Sequence, residues 1–297
     1  MADYKEKINS VLEYIDNQLE AGLAVTELSV LACLSKFHFH RIFVAHVGMS
    51  AGKYIRLMRF KKVSYQLVFR PRLSITDIAF SAGFESTASL SREFKSSFGS
   101  SPTQFRKSPD WSKWQELFDL QYAPVVKSLN LQQINLMRHK FNNADVKIVH
   151  FKAVRVAVKE HRGDPATVMQ SVATFIKWRM REGLSPKVSA TYNILYDDPD
   201  CVEPADFCMD ICVQTDKAVA ENADGIVVKH IPCGKCAVFR HLGCDQLLGQ
   251  SFESLYSQWL PQSGEILRDY PCFLHRVNFY PDVPENQSII DIYLPLQ

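Results

Sequence analysis

Four groups of side chains in this 297-residue chain are suited to recognition or chemistry. The first comprises Lys36, His40 and Arg41, and later Thr87, Ser89 and Arg92. At helical spacing each set falls on one face, where cations, imidazole and hydroxyls can hydrogen-bond base edges and phosphates. The second is Cys233-Gly-Lys-Cys236, a lone C-x-x-C with His230 and His241 nearby in sequence. A zinc or redox role would need a second pair or a histidine at ligand spacing, and free thiols in the core or at an edge fit the pattern better. The third is His275 with Asp210 or Asp291 as a base and its orienting acid; nothing in the spacing selects that pair, so we read no catalytic residue and no enzyme. Aromatic residues, among them Tyr192, Tyr196, Tyr256, Trp259, Phe273 and Tyr293, could stack on a flat or cationic ligand. At helix or strand spacing such residues also serve as core.

The elements that must hold the first group are repeated. Leu23, Val25, Thr26, Glu27, Leu28, Ala32 and Leu34 match Leu73, Ile75, Thr76, Asp77, Ile78, Ala82 and Phe84 at an offset of 50. Phe39, Arg41, Phe43, Gly48 and Tyr54 then match Leu90, Arg92, Phe94, Gly99 and Phe105 at 51. Each copy reads as helix, tight turn, helix. Ser74, with Asp77 three residues on, is an N-cap signal, and Gly83 is placed where a helix stops in a left-handed residue. Phe39, Phe43 and Val47, and Leu90, Phe94 and Phe98, form an apolar stripe at i, i+4, i+8 opposite the polar face. That is the plan of a helix-turn-helix, whose second helix lies in the major groove. Ser50 to about Arg70 reads as a connecting helix, which at 1.5 Å per residue spans roughly 30 Å. One turn of DNA is about 34 Å, so two heads at that separation can enter successive major grooves.

The runs Leu34-Ser-Lys-Phe-His-Phe-His-Arg-Ile-Phe43 and Ile75-x-Asp77-Ile78-Ala79-x(3)-Gly83-Phe84-x(5)-Leu90-x-Arg92-x-Phe94-x(3)-Phe98-Gly99-x-Ser101-Pro102-x-x-Phe105-Arg106 carry a resemblance to the AraC/XylS transcription regulators, over about residues 4–107. The resemblance implies DNA contacts at Lys36, Phe37, His40 and Arg41 in the first reading helix. In the second it implies them at Ser86, Thr87, Ala88, Ser89 and Arg92.

Length suggests two domains. Residues 1–110 carry 15 Lys and Arg against 10 Asp and Glu, whereas the remainder carries 19 against 22. The basic end is thus the one with the reading heads, as phosphate contact requires. Seven of the eight cysteines lie beyond residue 200, and in a chain this large without a signal a disulfide framework is not expected. No apolar run has the length of a membrane span, and the N-terminus lacks a basic region followed by an apolar run, so we expect a cytoplasmic location and no membrane partner.

Tyr4 to Leu19 reads as an opening amphipathic helix, and Trp111, Trp114, Leu117 and Phe118 as a short helix or docking strip in a connecting region. The domains expected are 1–110, a connection over 111–145, and 146–297. The last is also duplicated: His150, Ala157, Val158, His161 and Gly163 recur as His230, Ala237, Val238, His241 and Gly243 at an offset of 80, and Asp210-Ile211 as Asp291-Ile292 at 81. Each half reads as strand, strand, helix, strand, strand. The fold class expected is an all-α tandem helix-turn-helix domain followed by an α+β domain of two duplicated β-β-α-β-β halves, pseudo-twofold, with a cleft between two facing sheets.

Phe207-x-x-Asp210-Ile-Cys-Val213, Gly234-Lys-x-Ala-Val238, Trp259-Leu-Pro-x-Ser-Gly264, Arg268-Asp-x-Pro271 and Asp291-Ile-Tyr-Leu-Pro-Leu296 give this half a resemblance to the GyrI-like small-molecule-binding domain found in Rob-type regulators. The resemblance implies an effector site, for which the candidates are Tyr192, Phe207, Asp210, Tyr256, Trp259, Phe273, His275, Asp291 and Tyr293. Many relatives carry a Glu just after the Cys272-Phe273 position, where it meets cationic ligands; here that position is Leu274, followed by His275, which argues against a preference for cations. The function expected is a sequence-specific regulator that senses a small, largely hydrophobic molecule, without cofactor or metal. Its partners would be double-stranded DNA in two successive major grooves, the effector and RNA polymerase. The alternative is a C-terminal protein-interaction module, or a small hydrolase fused to the DNA-binding domain.

Overall fold

The computed structural model describes residues 4–114, 116, 118, 142–199 and 201–297, with the Gln246 side chain left aside. The chain divides into two compact units. Among the described residues no single helix is long and apolar enough to cross a membrane.

The first unit is helical. α1 (Tyr4–Asn17) buries Ile8, Val11, Leu12 and Ile15, the stripe that its periodicity marks. α2 (Val25–Leu31) and α3 (Lys36–Val47) form one head, and α5 (Ile75–Ser81) and α6 (Thr87–Phe98) the other. α4 (Ala51–Phe69) joins them; its 19 residues make a rod of about 28 Å. The repeat persists in the caps. Ser35 and Ser86 accept the N–H of His38 and Ser89 at the start of the reading helices. Ser50 and Ser101 do the same for Lys53 and Gln104, at the start of α4 and of α7 (Pro102–Lys107).

Between the heads α4 is buried on nearly every side, so its side chains bind both. Arg59 donates to the carbonyls of Leu19 and Ala21 at 3.1 and 2.9 Å, and Lys62 to that of Ser81 at 2.6 Å. Gly83 has φ +77°, and a Cβ there would come 2.3 Å from the Leu19 carbonyl and 2.7 Å from the Arg59 guanidinium. Fifty residues earlier Cys33 takes the same left-handed turn at φ +52°, with its side chain in solvent. The core of the second head is aromatic. Phe60, Phe84, Phe94, Phe98 and Phe105 interlock, and Trp111, Trp114 and Phe118 extend the stack onto Tyr65 and Phe69. The strip after Asp110 therefore docks on this unit; Leu117 lies outside the described residues.

Among the described residues the second unit holds eight strands: β1 (Lys147–Phe151), β2 (Val154–Arg162), β3 (Thr191–Leu195), β4 (Cys208–Gln214), β5 (Ile226–Ile231), β6 (Gly234–Leu242), β7 (Phe273–Asn278) and β8 (Ile289–Pro295). The duplication is present, but the expectation of two sheets with a cleft between them is corrected. There is one antiparallel sheet, in the order β1-β6-β8-β7-β3-β4-β2-β5. The reason is strand exchange: β1 pairs with β6 of the other half, and β5 with β2. The halves also share a central pair, β3 with β7, so a single hydrogen-bond ladder runs through both.

This order forces the sheet to curl. β1 lies at one end of the row and β2 next to the other end, yet Phe151 and Val154 are three residues apart and so within about 11 Å. The inner face closes on Phe151, Val156, Val158, Tyr192, Ile194, Cys212, Ile231, Cys236 and Phe273. The outer face carries the helices. α8 (Val168–Arg181) packs Phe175 and Trp178 against Ala157, Ile211 and Val213. α9 (Leu248–Ser254) continues through a widened π turn at Leu255–Trp259 and a last helical turn at Leu260–Ser263. The widening falls directly before Pro261, which has no N–H and whose ring would press on a carbonyl one turn back.

Candidate functional site

On α3 the stripe Phe39, Phe43 and Val47 is buried, which leaves Lys36, Phe37, His40 and Arg41 in solvent; Phe37 is 84% exposed. On α6, Leu90, Phe94 and Phe98 are buried, Ala88 and Arg92 are exposed, and Thr87 and Ser89 are half-buried. Two of the expected contacts have other partners. The Ser86 hydroxyl caps α6, and that of Ser89 donates to Glu93 at 3.2 Å. Glu93 in turn pairs with Arg56 of α4 at 3.6 Å. Each reading face is thus a rigid surface fixed by the hydrophobic stripe behind it.

In the second unit strand parity sorts the candidates. Tyr192 pairs with His275 and Cys212, Phe273 with Tyr293, and Asp291 with His275, so all of these face inward. Phe273 and Tyr293 stack at 4.8 Å, Tyr192 and His275 at 5.0 Å. Phe151 stands edge-on to Phe273 at 4.9 Å and to Tyr293 at 5.3 Å. Burial lowers the His275 pKa, which keeps the ring neutral near pH 7, and pushes the Tyr293 phenol up to about 12.

Three candidates lie elsewhere. Trp259 sits between the helix and the outer face with Leu255, Leu274 and Ile292, because the helix stripe that it completes points at the sheet's back. Tyr256 stacks on Phe252 of the same helix. Phe207 lies against His161, whose Nδ1 bonds Ser171 of α8, again on the helix side. Leu274 also faces outward, 2% exposed, so its apolar side chain says nothing about charge on the inner face. The next residue, His275, faces inward, as Phe273 does.

The inward carboxylates Asp210 and Asp291 are both paired with protein cations. Asp210 is fully buried; it accepts from Tyr196 at 2.9 Å, Lys229 at 2.6 Å and Arg162 at 3.3 Å. Lys229 also pairs with Glu160 at 2.5 Å. Burial pulls the Lys229 pKa down, but its bonds to Asp210 and Glu160 outweigh this and hold it well above the usual lysine range. Asp291 is gripped by Arg240 through two bonds of 2.7 and 2.9 Å. The sequence reading missed Phe151, Tyr270, Lys229, Arg162 and Arg240. Only the strand exchange carries Phe151 and Lys229 to their partners. Cys236 of the C-x-x-C is buried on the inner face and Cys233 is exposed in the preceding turn. Among the described residues no group of three or more His, Cys, Asp or Glu is placed to hold a metal ion.

Two reading heads on one rod, joined to a duplicated α+β unit, define a DNA-binding transcription regulator with an AraC-type helix-turn-helix part. Comparison with known proteins matches residues 28–108 to a helix-turn-helix domain and residues 144–297 to the GyrI-like small molecule binding domain. The chain belongs to the GyrI-like family. It is 35% identical to the probable transcriptional regulator YgiV of Escherichia coli K12 over 153 residues, 51% of this chain and 96% of that one. It is 31% identical to the right origin-binding protein of the same strain over 136 residues, 45% of this chain and 43% of that one. The EcmrR–DNA complex structure aligns with a TM-score of 0.44 at 11% identity, over 92% of this chain and 98% of that one.

Proposed function

We propose that this regulator senses a small, largely hydrophobic molecule on the inner face of the second unit, against Tyr192, Phe273, His275 and Tyr293. One observation carries the reading: the curl gathers these rings into one apolar cluster from which His275 and Tyr293 are part-exposed, and Asp210 and Asp291 beside them are already paired with protein cations. A cationic ligand would have to displace Lys229 or Arg240 to reach a free charge, so neutral aromatics bind at least as well as permanent cations. The DNA partner is duplex read in two successive major grooves, by Lys36, Phe37, His40 and Arg41 and by Thr87, Ala88, Ser89 and Arg92. RNA polymerase is the third partner. The relationship to YgiV, a probable transcriptional regulator, supports the regulatory role. To act, the effector must favour one conformational state, because equal affinity for both shifts nothing.

The test is calorimetry of the full chain with 2-naphthylmethanol and its trimethylammonium counterpart. The alcohol is expected to bind as tightly as the cation or tighter, and Tyr293→Ala to weaken it. Trp259→Ala should leave affinity unchanged while it lowers stability by about 3–5 kcal/mol. A much tighter cation overturns the charge reading, and binding that depends on Trp259 and ignores Tyr293 overturns the site.

A further inference from the structure

The aromatic inner face ends at a guanidinium. Arg268 precedes β7, and its backbone N–H donates to the Pro295 carbonyl at 3.0 Å, which ties this segment to the end of β8. Its NH1 donates to the Cys233 carbonyl at 2.7 Å. Its NH1 end lies against Gly234, where φ is +149° and a Cβ would come 2.1 Å from NH1. Its Cζ is 5.8 Å from the centre of the Tyr270 ring. One nitrogen is therefore used, and that end of the fork rests against a bare backbone.

The other two nitrogens, Nε and NH2, are shut from solvent and have no hydrogen-bond partner among the described residues. A guanidinium stays charged and has only donors, so two buried N–H groups without acceptors are costly. The surrounding charges do not supply one. Lys235 and Glu265 pair with each other at 2.5 Å, and the exposed Asp269 forms no ion pair with Arg268 among the described residues. Asp210 and Asp291 are held by Lys229, Arg162 and Arg240. Burial raises the pKa of the neighbouring Cys236 thiol, which keeps it neutral.

The fork also adjoins the ring cluster. Tyr270 is 6.5 Å from Phe273, and Gly234 is the register partner of Phe151. The part-exposed Tyr270 at the edge of an apolar cluster, beside a planar cation with two unpaired donors, suits an apolar body with an oxygen pair at one end.

We propose that the effector is an aromatic or otherwise lipophilic carboxylate whose two oxygens are received by Nε and NH2 of Arg268, its body lying along Tyr270 at the edge of the cluster that Phe273 and Phe151 anchor. This rests on the reading of the inner face as the effector site. Gly234 is part of the device, since any side chain there would push the fork away.

The test uses the full chain at neutral pH with three probes of one shape: 2-naphthoate, 2-naphthylmethanol and (2-naphthylmethyl)trimethylammonium. Naphthoate is expected to bind at least tenfold tighter than either of the others. Arg268→Gln should abolish that preference and leave the alcohol unchanged, and Arg268→Lys should keep part of it. If the alcohol binds and naphthoate is no tighter, the carboxylate assignment is wrong and the sensing surface stands. A naphthoate preference that survives in Arg268→Gln also overturns it. If none of the three binds, the sensing surface and the assignment fall together. Should Arg268→Gln not fold, the wild-type ranking and Arg268→Lys decide.

Discussion

The Tyr192 ring lies on that of His275 with centroids 5.0 Å apart, and the two residues are register partners across β3 and β7. This strand pair is the centre of the eight-stranded row, where one duplicated half meets the other. The contact is therefore made by neither half alone, and any ligand that presses on it bears on both.

The reading heads can be separated by mutation. Arg41→Ala and Arg92→Ala are each expected to weaken specific DNA binding by about 1–3 kcal/mol where the guanidinium reads a base edge. Base-resolved footprints should change about one helical turn apart for the two variants. Footprints that change at one common position would contradict the two-groove arrangement. Ser86→Ala should instead cost about 1 kcal/mol of stability, because its hydroxyl caps α6.

Lys229→Met would leave the Asp210 carboxylate buried with Arg162 and Tyr196 as its remaining partners. Breaking a buried pair from one side costs roughly 3–5 kcal/mol, and with those two partners in place the lower end applies. The double variant Asp210→Asn, Lys229→Met removes both charges and should lose less than the single one. Urea melts that show the double variant to be the weaker would mean that the pair does not matter in this way.

His241 is buried between β6 and α9. Its Nε2 faces the Cys244 carbonyl at 3.2 Å, so Nε2 carries the proton and Nδ1 accepts from Ser251 at 2.8 Å. Burial lowers its pKa, which the Cys244 carbonyl and Asp245 oppose and Arg276 reinforces. The unfolded chain then takes up a proton first as pH falls, so stability declines below about pH 6.5. His241→Gln should start lower and lose less between pH 7 and 5, as read by denaturant midpoints. An equal slope in both proteins would remove His241 as the cause.

Equivalent turns in the two heads should respond in opposite directions. Cys33→Gly relieves a left-handed residue at a gain of about 1–2 kcal/mol, reduced by the roughly 0.5–1 kcal/mol that glycine's unfolded freedom costs. Gly83→Ala adds the same strain and sets a Cβ against the Leu19 carbonyl, so it should lose at least about 2 kcal/mol. Thermal melts of the full chain measure both, and a stabilising Gly83→Ala would show that the contact with Leu19 is not rigid.

The sequence by itself determined every element whose signal is local. The N-cap at Ser74, the stripes Phe39-Phe43-Val47 and Leu90-Phe94-Phe98, and the strands of the duplicated half are written within one or two turns of chain, whereas Ser86, expected to contact DNA, caps α6 instead. A capping hydroxyl needs a partner three residues away, and a buried face needs only a period. Because the caps and stripes recur, so did the two heads. What the tertiary structure decided is which periodic face the helices cover and which turns to the inside of the curl. Trp259 and Tyr293 are both large aromatics at regular spacing, but one faces the back of the sheet and the other the inside of the curl. Periodicity marks two faces of a strand and leaves open which one a helix will cover. The exchange of β1 and β5 is set by long-range pairing, whose register depends on the whole ladder. It brings Phe151 to Phe273 and Lys229 to Asp210, while the pairing of β6 with β8 inside the second half sets the fork of Arg268 against Gly234, and no local spacing in the chain records those meetings.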